Sequence, residues 1–114
     1  MSIDELLSRE FDRSTYNCLH YSADCWEFLT GDDRLKKVRE DAIEGQSLAQ
    51  IFREFRKCIE ATVAPSIALM DTLDGKTHMG VCYRRRLLHI NEAGCQFLPV
   101  DAFSSMYKNM RFYQ

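Results

Sequence analysis

Several common features are scarce or missing in this chain, and each absence excludes something. Five cysteines are present (Cys18, Cys25, Cys58, Cys82 and Cys95), yet no two form a C-x-x-C pair. Zinc-ribbon and thioredoxin-like sites therefore have no basis in the sequence. An odd, scattered set is not a disulfide framework either, and it fits a reducing compartment. No apolar run approaches the ~18 residues of a membrane-spanning helix. The opening MSIDELLSRE is acidic and has no basic stretch followed by an apolar one, so neither a signal peptide nor membrane insertion is expected, and synthesis in the cytoplasm is. Charge of one sign is equally scarce. A formal net charge of −2 gives no electrostatic reason to expect a nucleic-acid partner. The one basic cluster, Arg84-Arg85-Arg86, lies between apolar runs and reads as a solvated hairpin loop. No internal repeat or low-complexity tract occurs.

What is present describes one domain, residues 1–114. A 46% hydrophobic and 28% charged composition is that of an ordinary globular chain. Ile3, Leu6, Leu7 and Phe11 recur at helical spacing, which predicts a short helix over 3–11. A second helix is expected from Cys18 to Leu29, preceded by the capping types Ser14, Thr15 and Asn17 and stopped by Gly31. Further helices are expected over 32–44 and 48–60, the latter capped by Ser47. Pro65 ends the helical half. Strands are then expected over 66–70, 77–83, 87–91 and 95–98, with DTLDGK as a turn, a short helix opened by Pro99 and Asp101 and running to about Tyr107, and a last strand over 111–113. Helices first and an antiparallel sheet second is an α+β chain, with the N-terminal helices packed on a small sheet.

The chemistry in this pattern centres on Cys18. A thiol at a helix N-terminus feels the positive end of the macrodipole and the unpaired backbone N–H groups there. Both favour the nucleophilic thiolate. His20 points about 200° around the helix from Cys18 and reads as a surface histidine beside Asp24. His78 and His89 lie downstream on two strands joined through the arginines. A two-residue loop at Arg84-Arg85 puts His89 opposite Gly80 and both histidines on one face of the sheet; a four-residue loop keeps that parity and a three-residue loop does not. Arg-Arg is poor chemistry for a two-residue primed turn, which leaves the loop length open. If the Cys18 helix packs on that face, the nucleophile Cys18, the base His78 and the orienting His89 converge, with Gly80 leaving space beside them. A backbone N–H at the helix start, with the Tyr16 side chain, is the candidate oxyanion site. Spacing alone leaves open the alternative that Cys18 is a core thiol and the two histidines are structural. No cofactor and no metal is expected.

YNCLHYSADCWEFLTG resembles the cysteine segment of NlpC/P60 cell-wall peptidases, and HMGVCYRRRLLHI resembles their histidine segment. NEAGCQFLPVDAF and the ending MRFYQ are similar to short members found among tail genes of tailed phages. Leu19 and His20 stand where many members have Ser or Gly, and the hairpin turn lacks the usual glycine. The resemblance implies a papain-like α+β fold and cleavage of amide bonds in peptidoglycan stem peptides. It assigns nucleophile, base and third polar residue to Cys18, His78 and His89. The implied setting is a virion tail, with tail-tip or baseplate proteins and stem peptides as partners and the periplasm or cell wall as the place of action. The alternatives are a structural tail-tip or baseplate assembly protein of the same fold with weak or no activity, and a secreted peptidoglycan amidase effector.

Overall fold

The computed structural model describes residues 2–38 and 52–114. Helix α1 (Ile3–Leu7) is capped by Ser2 and buries Leu6. It is shorter than expected, as Ser8 ends it through its backbone N–H to Glu5, and Phe11 packs on the core from outside the helix. Helix α2 (Cys18–Thr30) runs between an Asn17 cap and Gly31 at φ 77°, a left-handed conformation that favours glycine.

The expected helices over 32–44 and 48–60 do not form in their described parts. Arg34–Lys37 is a single 3-10 turn, and Val38 is already extended. Phe52–Glu54 is another 3-10 turn. Beyond it Lys57 bridges Tyr113, and Cys58 donates its backbone N–H to Phe112. The backbone here pairs with a sheet edge instead of with itself. Ser47, Ala42, Ile43, Leu48 and Ile51 lie outside the described residues.

Five antiparallel strands follow: β1 (Ser66–Thr72), β2 (Thr77–Tyr83), β3 (Arg86–Asn91), β4 (Gly94–Pro99) and β5 (Tyr107–Tyr113), in the order β4-β3-β2-β1-β5. The expected helix up to Tyr107 is a 3-10 turn at Val100–Phe103, and Tyr107 instead opens β5. The chain is therefore α+β. The β2–β3 connection is a two-residue loop: Tyr83 pairs with Arg86 and Cys82 with Leu87. Arg84 and Arg85 both take positive φ, 55° and 59°, as a primed turn requires. Bonds from outside the hairpin hold them there, since their N–H groups donate to the carbonyls of Val63 and Thr62 at 2.8 Å each.

The two faces of the sheet are covered differently. On one, Ile67, Leu69, Met79, Val81, Leu88 and Ile90 meet Leu19, Tyr21, Ala23 and Trp26 of α2. On the other, Ala68, Met70, Cys82 and Leu87 meet Phe103, Tyr107 and Phe112. Each fully buried leucine or isoleucine in these layers contributes about 1.5–3 kcal/mol.

Candidate active site

Cys18 is the first residue of α2, and its position is set by the loop before it. Asp12 and Tyr16 exchange backbone hydrogen bonds at 3.0 and 2.8 Å, and the Asp12 carboxylate accepts from the N–H groups of Ser14 and Thr15. This closed turn delivers Asn17 as the cap: its side-chain oxygen accepts from Leu19 N–H at 3.0 Å and His20 N–H at 3.4 Å. His20, expected at the surface beside Asp24, is partly exposed and lines one groove with it, and it also has a local role. Its Nδ1 accepts the Asn17 N–H at 3.1 Å, filling the part that Glu or Gln plays in a capping box. Asp24, its expected neighbour, is engaged by Tyr16 and Arg9.

The two-residue turn gives the histidines the parity expected of it. The ring of His78 meets that of His89, with Nε2 3.0 Å from Nδ1. Gly80 gives room at this point: a Cβ there would lie 2.8 Å from Leu87 Cδ1, 3.0 Å from the Leu88 carbonyl oxygen and 3.1 Å from the His89 Cβ. His89 is fully buried, and His78 is 9% exposed. Tyr107 stacks flat on His78, 4.9 Å away at 7°, and Phe103 meets His89 edge-on at 4.8 Å. Burial, reinforced by the neighbouring His89, pushes the His78 pKa down to about 3. Burial also lowers that of His89, against an opposing bond to Gln96. Both rings are thus neutral near pH 7, and burial makes His78 a weaker base than a free imidazole.

The route by which thiol and base approach differs from expectation. Helix α2 packs on the face formed by Met79, Val81, Leu88 and Ile90, whereas His78 and His89 project from the opposite face, among Phe103 and Tyr107. The reason lies in α2 itself, whose apolar stripe seeks the fully apolar face and not the one carrying two imidazoles. Cys18 and His78 nevertheless both reach the end of the sheet. There Cys18, Asn17, His78, Asn91 and Tyr107 line one cleft of about 640 Å³, with Arg13, Lys76 and Glu92 also on its walls. That volume suits a short peptide segment. Arg13, Lys76 and Glu92 form no ion pair with another described residue.

Tyr16 is not brought into this cleft. It lines a separate groove with Leu19, His20, Asp24 and Lys36, and its hydroxyl donates to Asp24 at 2.6 Å. Burial, then that bond, pushes its phenol pKa up. Among the described residues no group of three or more His, Cys, Asp or Glu side chains is arranged to hold a metal ion.

Compared with protein-family models, with curated proteins and with solved structures, the chain matches none.

Two participants in this arrangement are not evident from the sequence pattern around the histidines. The sequence predicts Tyr107 at the end of a helix, and nothing local signals that it reaches across β1 to His78. Gln96 lies directly opposite His89 in the β3–β4 ladder, and its Oε1 is 3.1 Å from His89 Nε2. The alternation of β4 carried that signal, because residues opposite each other across antiparallel strands share a face.

Proposed function

We propose that this protein is a cysteine hydrolase of papain-like, NlpC/P60 type that cleaves amide bonds in peptidoglycan stem peptides. The observation that supports this reading most is that Cys18 at a helix N-terminus and His78 line the same cleft, with the Nε2 of His78 already spent on His89. In the proposed reaction the Cys18 proton passes to His78, and the thiolate attacks the amide carbonyl carbon. The tetrahedral oxyanion is met by the backbone N–H at the start of α2. Collapse breaks the C–N bond, His78 gives its proton to the leaving amine, and water then hydrolyses the thioester. Charges of both signs on the cleft walls suit a peptide that carries free carboxylates and an amine, as stem peptides do. The setting we propose, a phage tail tip or baseplate, rests on the resemblance carried by NEAGCQFLPVDAF and MRFYQ.

The test is digestion of purified Gram-negative peptidoglycan, read by mass spectrometry of released muropeptides. Wild type and Cys25→Ala are expected to release cleaved stem peptides, and Cys18→Ala at least about 10³-fold less. No cleavage by wild type, even within a tail assembly, would overturn the enzyme reading in favour of a structural tail-tip protein.

A further inference from the structure

We propose that Gln96 is a positioning residue which, acting through His89, decides which ring nitrogen of His78 is open to the Cys18 thiol. The catalytic consequence rests on the hydrolase reading above; the relay itself does not.

Gln96 Oε1 lies 3.1 Å from His89 Nε2. A carboxamide oxygen only accepts, so His89 carries its proton on Nε2. A neutral imidazole has one N–H, which leaves His89 Nδ1 as a lone pair. That lone pair is 3.0 Å from His78 Nε2, so this nitrogen must donate. His78 is thereby fixed with its proton on Nε2 and an unprotonated Nδ1, the one ring nitrogen left for the thiol. Two aromatic walls oppose rotation of the rings: Tyr107 lies flat on His78, and Phe103 stands edge-on to His89. When Cys18 ionises, its proton goes to His78 Nδ1, and the resulting imidazolium keeps its Nε2–H on His89. The acceptor that sets this order sits on β4, two residues beyond the Gly94 turn, and not on either histidine strand.

The experiment is long-range ¹H–¹⁵N correlation of the imidazoles in the ¹⁵N-labelled full chain at neutral pH, for wild type, Gln96→Glu and Gln96→Leu. His20→Gln assigns the signals of the third histidine. Wild type is expected to show His78 and His89 each protonated on Nε2 alone. Gln96→Glu keeps an acceptor oxygen and retains that pattern. Gln96→Leu loses it, with both tautomers of His89 populated and alkylation of Cys18 by iodoacetamide slowed about tenfold. A wild-type His78 or His89 protonated on Nδ1 would overturn the proposal, and so would an unchanged spectrum in Gln96→Leu. Should the leucine variant fail to fold, the wild-type and Gln96→Glu spectra decide alone. A fixed relay without peptidoglycan cleavage would sink the hydrolase reading and leave the relay; cleavage with the opposite tautomer would do the reverse.

Discussion

The first turn of α2 and its middle carry one cysteine each, two turns apart on the same helix, and their surroundings are opposites. Cys18 is half-buried and opens on a cleft that also holds His78 and Tyr107. Cys25 is fully buried beneath the sheet, and burial pushes its thiol pKa up. Tyr21, one turn before it, is equally enclosed. The residue type is the same; the difference comes from where the helix stops covering the sheet. A helix end offers a thiol both the dipole and a route to solvent, while the helix middle offers neither.

The sharpest way to break this comparison is chemical. Under native conditions Cys18 is expected to react with iodoacetamide at least about 100-fold faster than Cys25, as read by peptide mass mapping, because Cys25 must wait for the helix to open. Comparable rates would mean that the two sites are not distinct.

Acid and alkali should separate the same two regions. Burial holds His78 near 3, below the 6.5 of an ordinary histidine, so the unfolded chain takes up a proton that the folded chain refuses. Stability present above pH 6.5 is lost as pH falls towards 3, by up to about 1.4 kcal/mol per pH unit from this ring. His89 acts in the same direction. Cys25 has the opposite sense. Its thiol is raised above the ordinary 9.0, so its contribution is complete below that pH and is lost as pH rises beyond it. Urea midpoints measured across pH should flatten on the acid side in His78→Gln and on the alkaline side in Cys25→Ala. An acid limb unchanged by His78→Gln would place the titration elsewhere.

Gly80→Ala sharpens the cleft side of the contrast by pressing on the histidine pair from behind. The new Cβ would crowd Leu87 Cδ1 at 2.8 Å and the Leu88 carbonyl at 3.0 Å. A loss of about 1–3 kcal/mol is expected in denaturant unfolding, together with slower Cys18 alkylation as His78 shifts. The smallest effect belongs to Asn17→Ala. Removing the side chain that caps Leu19 and His20 should cost about 1 kcal/mol and leave Cys25 protected. Greater exposure of Cys25 in that variant would show that the helix end and its middle open together.

Much of the molecule was legible along the chain. Helix α2 begins where Asn17 precedes Cys18 and ends at Gly31 because cap chemistry is local. Strand β2 has the expected bounds, and the parity that pairs His78 with His89 is the one expected of a two-residue loop, although the loop length itself is open in the sequence. The failures have particular causes. Residues 34–38 and 52–60 carry helical spacing, but Leu35, Phe52 and Phe55 reach the core from 3-10 turns and loop, since burial rewards contact and not periodicity. Arg84 and Arg85 adopt a turn their side chains disfavour because Thr62 and Val63, about twenty residues earlier, accept their N–H groups. Tyr16, expected beside Cys18, turned to Asp24 one face away, since the helical rotation between Cys18 and Asp24 carries it into another groove.

The chain alone set the α+β order of elements, the thiol at a helix start and, for a two-residue turn, the shared face of two histidines. Those depend on capping, periodicity and turn length, which act over a few residues. Packing between distant segments set that two-residue turn, the face that α2 covers, the cleft that Cys18 and His78 share at the end of the sheet, and the Tyr107 ring on His78. Each of these joins segments far apart in the chain, and such a choice is made by which surfaces bury best against each other, a quantity that no local pattern contains.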